Sequence, residues 1–157
     1  MHFRWKYISL PLAVLLLSVC ITACFYRLLP VEVAYHFDGG SPDKWMSRGA
    51  TIGWLLIPQF LFALVAMVIV WGVTRLSIRL QQVDGIVIEK LLYLVGNMVV
   101  LPQIILSYAV LDISLYNVFQ IHIMPLWLFA VVVMVLGVII LGILFFSIFR
   151  RVRLLFG

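Results

Sequence analysis

The stretch Gly49–Thr74 reads GATIGWLLIPQFLFALVAMVIVWGVT, with Arg48 before it and Arg75 after it. It contains no charged side chain. A helix needs roughly 20 apolar residues to cross a hydrocarbon core about 30 Å thick, and this run is longer than that. Three more runs share its character. They are Tyr7–Tyr26 between Lys6 and Arg27, Leu91–Leu111 between Lys90 and Asp112, and a long one from Ile113 to Phe149 whose helix is expected to begin near Met124 or Pro125. Backbone groups in lipid must be paired within their own segment, so such runs fold as helices. They lack the alternating ~10-residue pattern of a transmembrane barrel. The expected fold class is therefore all-α integral membrane. It is a four-helix transmembrane bundle, with spans 7–26, 50–74, 91–112 and 125–149, in a single domain over 1–157.

Composition agrees with this reading. The chain is 66% hydrophobic and 11% charged, with a mean hydropathy of +1.22. A soluble domain carries about 25% charged residues, so the lipid bilayer is the expected solvent and first partner. No connecting segment is long enough to form a separate domain in water. The net charge of +5 does not point to nucleic acid, because the basic residues stand at the ends of apolar runs, where membrane orientation requires them. Arg4, Lys6, Arg75, Arg79, Lys90, Arg150, Arg151 and Arg153 fall on one side, and Arg27, Lys44 and Arg48 on the other. The positive-inside rule makes the first group cytoplasmic. The expected localisation is the cell membrane, multi-pass, with both termini in the cytoplasm. Trp5, Tyr7, Tyr26, Trp54, Trp71, Tyr116 and Trp127 lie near the span ends, as interfacial aromatic belts do.

Cys20 and Cys24 are four apart in the first run, a spacing with poor disulfide geometry on a helix. They are expected to be small apolar packing residues. Ile21-Thr22-Ala23-Cys24 behind a basic N-terminus also has the form of a lipoprotein signal, in which Cys24 would be lipidated after cleavage.

The segment 27–49 between the first two spans is the most polar part of the chain, and it is expected to form a short structured extracytoplasmic loop. Val31, Val33, Tyr35 and Phe37 alternate with Glu32, Ala34 and His36, a strand-like period of two. Gly39-Gly40-Ser41-Pro42-Asp43 follows as a turn. Tyr35, Phe37 and Trp45 are expected to order the loop against the helix ends, with His36 directed at a polar partner. Gly49 and Gly53 form a GxxxG pair that permits close helix approach.

At these residues the chain resembles a known family. Leu29, Pro30, Val33, His36, Phe37, Gly40, Pro42, Asp43, Trp45, Ser47 and Arg48, leading directly into the second span, are similar to the bacterial domain of unknown function found at the N-terminus of SdpI-type immunity proteins. The resemblance covers about a third of the chain. The spacing between His-Phe and Pro-Asp is one residue shorter than is usual in that family, and Arg48 stands where lysine is common. The second half of the SdpI-type proteins has no counterpart here. The resemblance implies a membrane-bound protein with immunity or sensing relatives, and it carries no catalytic residue.

Glu32, His36, Asp38, Asp43, Asp112 and His122 all fall on the outer side. Imidazole and carboxylate could hold a metal, but the spacing matches no ligand motif. The expected arrangement is a cap in which carboxylates pair with Arg27, Lys44 and Arg48. No metal and no cofactor is assigned. The candidate motif residues are Pro30, His36, Phe37, Gly40, Pro42, Asp43, Trp45 and Arg48. On the third helix, Asn97, Tyr108 and Asp112 should lie within about 60° of one another, an intramembrane polar stripe. Gln103 and Ser107 form a second stripe, and interhelical hydrogen bonds are the expected use of both. Asp112 should be near enough to the outer end to reach water. No nucleophile stands near a base, and no phosphate-binding loop is present, so an enzyme is not expected. The expected function is a non-enzymatic binding, sensing or immunity-like protein, with a protein partner or a homo-oligomer possible. The alternative is a transporter or channel accessory component acting as an oligomer.

Overall fold

The computed structural model describes residues 5–38, 41–80 and 85–156. A 3-10 turn, Trp5–Tyr7, leads into helix α1, Ser9–Phe25. An antiparallel hairpin follows, β1 Glu32–Asp38 and β2 Ser41–Ser47. The rest is helical: α2 Arg48–Leu80, α3 Gly85–Met98, α4 Val100–Phe119 and α5 Leu126–Phe156. Three helical stretches, Arg48–Leu76, Glu89–Phe119 and Leu126–Ser147, are long and apolar enough to cross a membrane. The 17 residues of α1 extend about 25 Å at 1.5 Å per residue, somewhat less than a full hydrocarbon core.

The structure departs from the sequence reading in four places. The fold is not purely helical, because the alternating segment pairs with Ser41–Ser47 as a two-stranded sheet. The third span is not one rod. Pro102 has no N–H to offer the Met98 carbonyl and its ring crowds that group, so the helix breaks at Val99, between α3 and α4. The helix also runs on past Asp112, the expected end of the span, to Phe119, so the connection to α5 is residues 120–125. Gln120, in a left-handed conformation with φ 59°, ends α4, its N–H donating to the Tyr116 carbonyl at 2.8 Å. Finally, α2 continues past Thr74 to Leu80. Gln81-Gln82-Val83-Asp84-Gly85 reads as a turn from the sequence; its first four residues lie outside the described residues, as do Gly39 and Gly40, and Gly85 begins α3.

The helices meet along seams spaced three and four residues apart, the repeat that keeps one stripe facing a neighbour. On α1 the buried stripe is Pro11, Leu15, Ser18 and Thr22. On α4 it includes Val100, Gln103, Ser107, Val110 and Ser114. On α2 it is Gln59, Ala63, Ala66 and Val70. Tyr7, Ile8, Ala66, Val70 and Leu92 close an apolar cluster at the end of the 3-10 turn. Helix α5 is peripheral and nearly all its described side chains are exposed.

Glycine decides two of the close contacts. A Cβ on Gly96 would run into the backbone carbonyl of Tyr7, and one on Gly137 into the side chain of Leu101. The GxxxG pair does not work this way. A Cβ on Gly49 meets nothing within 4 Å, and one on Gly53 meets only Ile57 of its own helix.

The seams also carry polar groups, as expected of Gln103 and Ser107. Gln103 Nε2 donates to the Gln59 carbonyl at 3.1 Å. The Ser18 and Ser107 hydroxyl oxygens are 2.6 Å apart. Each also lies within reach of its own helix: Ser18 of the Val14 carbonyl at 3.1 Å, Ser107 of the Gln103 carbonyl at 2.7 Å. Two hydroxyl protons serve three contacts, so one back-bond to a carbonyl yields whenever the serines bond each other.

Gly96→Ala should lower stability by about 1–3 kcal/mol through overpacking against the Tyr7 backbone. Gly72→Ala, where a Cβ meets nothing within 4 Å, should be neutral or mildly stabilising, because alanine is the better helix former. Thermal unfolding of both variants in detergent tests the pair. Equal midpoints would contradict the packing described.

Candidate functional site: the hairpin and its clamps

An isolated two-stranded hairpin is marginally stable at best, so what holds this one determines what it can do. Four contacts fix it. Asn117 of α4 uses both ends of its amide on one residue of β1. The Ala34 N–H donates to Asn117 Oδ1 at 2.9 Å, and Asn117 Nδ2 donates to the Ala34 carbonyl at 2.9 Å. The amide thus imitates a residue of a neighbouring strand. Val33 and Ala34 are both buried as a result, and the ladder is irregular between Ala34 and Phe37. That irregularity explains why strict alternation fails. Two successive residues face inward, while Val31, expected on the apolar side, is exposed.

Arg48, at the start of α2, is the second clamp. Its guanidinium donates to the carbonyls of Tyr26 at 2.9 Å and Leu29 at 3.2 Å, and its charge sits 4.7 Å from the centroid of the Tyr26 ring. It closes the chain between α1 and β1 rather than pairing with a carboxylate. Pro30, beside these carbonyls in the chain, is exposed.

Phe37 is the third clamp. Its ring meets the rings of Tyr116 and His122 edge-on, each at 4.5 Å between centroids, and those two rings stack on each other at 4.5 Å. His122 is in turn held by Asp112, Nδ1 to Oδ2 at 3.0 Å, while the Ile123 N–H donates to Asp112 Oδ1 at 3.3 Å. Asp112 is buried at 6% exposure, so it does not reach water as expected. It is the post on which the α4–α5 connection turns. Tyr108, one turn earlier, does the same work, its hydroxyl donating to the Met124 carbonyl at 2.7 Å.

The fourth contact lies on the hairpin itself. His36 Nδ1 and Asp43 Oδ1 are 2.6 Å apart, both side chains well exposed. The hydrogen bond to His36 holds the Asp43 carboxyl below its ordinary range, with the charges of His36 and Lys44 acting in the same direction. Trp45, opposite Ala34 in the register, is 54% exposed, although the loop aromatics are all expected to pack on the helix ends. Phe37 does so. Pro42 stands opposite Phe37 in the strand register. Gly40 lies outside the described residues.

The intramembrane stripe divides. Tyr108 and Asp112 share a face of α4, four residues apart. Asn97 is on α3, beyond the break, and its Nδ2 donates back to the Tyr93 carbonyl at 2.7 Å. Cys20 and Cys24 are exposed on α1 rather than packed inside. Among the described residues, no three His, Cys, Asp or Glu side chains gather as a metal-ligand set.

The sequence reading overlooked Asn117, Ser18 and Gln59. Asn117 looked like one polar residue in a connecting loop, and only the extension of α4 to Phe119 puts it beside β1. Gln59 had a visible signal, for Pro58-Gln59 on α2 repeats as Pro102-Gln103 on α4. Both glutamines are fully buried, and neither Oε1 accepts a hydrogen bond from the protein.

A family model described as a domain of unknown function, DUF1648, matches residues 13–58. This segment, under a third of the chain, takes in most of α1, the hairpin and the beginning of α2. The chain is similar to that family over those residues. Comparison with curated proteins and with solved structures gave no match.

Asn117→Leu should leave the Ala34 N–H and carbonyl without partners, a cost of about 1–3 kcal/mol for each group that stays buried. The hairpin should then release before the helices unfold. Proteolysis or amide exchange over residues 31–48 measures this, and wild-type protection in the variant would contradict the clasp.

The His36–Asp43 pair sets a pH dependence. Because the folded Asp43 carboxyl is held below its ordinary value, its stabilisation is present above that value and is lost as pH falls through the folded one. Hairpin protection factors, corrected for intrinsic exchange, should therefore fall below about pH 4. Asp43→Asn should lose that acid step. A wild type and variant with the same acid profile would exclude the pair as its cause.

Proposed function

We propose that this chain is a four-pass membrane protein whose hairpin faces outward as a recognition surface, with both termini in the cytoplasm. In this reading α1 completes the fourth crossing, assisted by the 3-10 turn before it and by Tyr26 and Arg27 after it. The Lys6–Glu89 ion pair supports one part of this topology. It joins the N-terminal segment to the start of α3, the end that carries most of the basic residues.

The observation that carries the function is the contrast within the hairpin. Its backbone is clamped by Asn117, Arg48 and Phe37, yet Trp45, His36 and Asp43 are left exposed on the same hairpin. A rigid support that presents an exposed aromatic and a hydrogen-bonded histidine–aspartate pair is the usual form of a binding surface. The role is therefore non-enzymatic binding or sensing, with a protein partner as the expected ligand. The resemblance of this segment to the N-terminal domain of SdpI-type immunity proteins makes an immunity-like role the most specific form of the reading.

A second reading, a transporter or channel accessory component working as an oligomer, is favoured by one observation. The buried amide oxygens of Gln59 and Gln103 have no protein donor, and polar groups at such depth commonly line a path. Flux in vesicles that depends on both glutamines would favour this reading over the first.

His36→Ala and Trp45→Ala should each leave membrane abundance unchanged and abolish the phenotype lost on deletion of the gene. In a background lacking Cys20 and Cys24, an impermeant thiol reagent should label Asp43→Cys but not Arg75→Cys in intact cells. Full phenotype in both alanine variants removes the hairpin from the function, and the reverse labelling pattern overturns the topology.

A further inference from the structure

Helices α3 and α5 meet near the end of the molecule where Lys6 of the N-terminal turn pairs with Glu89. Between them lies a groove of about 210 Å³, lined by Glu89, Lys90, Tyr93, Leu94, Leu144 and Ser147. Its wall is apolar. Leu94 is buried and Leu144 exposed. Tyr93 directly precedes Leu94, and Ser147 stands one turn after Leu144. Lys90 is at the mouth, and Arg150, three residues after Ser147, falls on the same face of α5. Arg151 and Arg153 follow in the sequence. The acidic group at the mouth, Glu89, is already engaged by Lys6.

We propose that this groove is a binding site for an anionic phospholipid. One acyl chain lies along Leu94 and Leu144, and the phosphate is at Lys90 and Arg150. An apolar wall with two cations beside it matches the tail and the acidic headgroup of such a lipid. Basic sites between helices on the cytoplasmic side are suited to acidic headgroups. The partial exposure of α5 fits the same occupant. This helix touches the bundle along one narrow strip, so a lipid wedged between it and α3 would extend its contact with the rest of the chain. The proposal rests on the membrane reading alone, and the role of the hairpin does not enter it.

The test uses the purified full chain in a neutral detergent, titrated with dioleoyl-phosphatidylglycerol or dioleoyl-phosphatidylcholine while its unfolding temperature is followed. Phosphatidylglycerol should raise the midpoint and phosphatidylcholine should not. Lys90→Gln and Arg150→Gln should each raise the half-maximal phosphatidylglycerol concentration about fivefold. Leu144→Trp and Ser147→Phe fill the groove without changing charge, and whichever folds as well as wild type should also lose the response. Arg75→Gln removes a cation on α2 that does not line the groove, and should retain it. Equal response to both lipids overturns the site. So does a full response with the groove filled, and so does a loss in Arg75→Gln as large as in the groove variants, which would reduce the effect to general surface attraction.

Discussion

In a bilayer every backbone N–H and C=O must find its partner inside the protein, and the irregular features of this chain are responses to that requirement. Pro58 and Pro102 each remove one helix donor in the middle of an apolar run. The two sites are resolved differently. Helix α2 passes through Pro58 without interruption, whereas the α3–α4 rod breaks at Val99. A glutamine follows each proline, and these two glutamines face each other, Gln103 donating to the Gln59 backbone. The side-chain amides thus supply donors next to the positions where proline withdrew them. They also bring two carbonyl oxygens that no protein group satisfies. Interhelical hydrogen bonds of this kind contribute only about 0.6 kcal/mol on average. Their value here is in fixing which residues of α2 and α4 meet, a register that leucine against leucine would leave loose.

The same requirement explains why so much of the helical architecture could be read from the sequence. Length, absence of charge and bracketing by Lys or Arg are sufficient to locate apolar helices, because a bilayer permits few alternatives. What those signals do not contain is the interruption within a run. Pro102 was visible, yet a proline in an apolar helix can kink it, break it or, like Pro58, leave it continuous. The choice depends on packing against α2 and α1. The end of α4 was misplaced for a similar reason. Asp112 suggested a boundary, but its carboxyl group is hydrogen-bonded to His122 and buried, so the helix continues beneath it to Phe119. A charge marks a span end only when it must reach water.

The site was legible in its residues more than in its connections. His36, Asp43, Trp45, Phe37 and Arg48 all lie on or beside the hairpin, and the strand-like alternation was a correct sign of extended backbone. The pairings within the cap went otherwise than charge counting suggests. Arg48 serves carbonyls and a ring, and the carboxylates of Asp43 and Asp112 go to histidines. A guanidinium at the start of a helix can satisfy carbonyls left over from the preceding helix end, and sequence alone gives no means of ranking that against an ion pair with a nearby aspartate.

The residues that resemble a family and the residues that make the hairpin stable are not the same set. The matched segment ends at residue 58. Asn117, Tyr116, His122 and Asp112 all lie beyond it, and they supply the amide clasp, the aromatic seat for Phe37 and the post that holds the seat. With only two strands, the hairpin cannot bury an apolar face by itself. It depends on a surface offered by a helix that follows far later in the chain. Any other chain carrying this segment must therefore provide an equivalent support, and nothing requires that support to use the same residues. A polar side chain able to pair with both backbone groups of the β1 residue at Ala34's position, on a helix end next to β1, would be enough. The constraint on the segment is then the hairpin and its exposed face, while the clamp is free to vary with the helices around it.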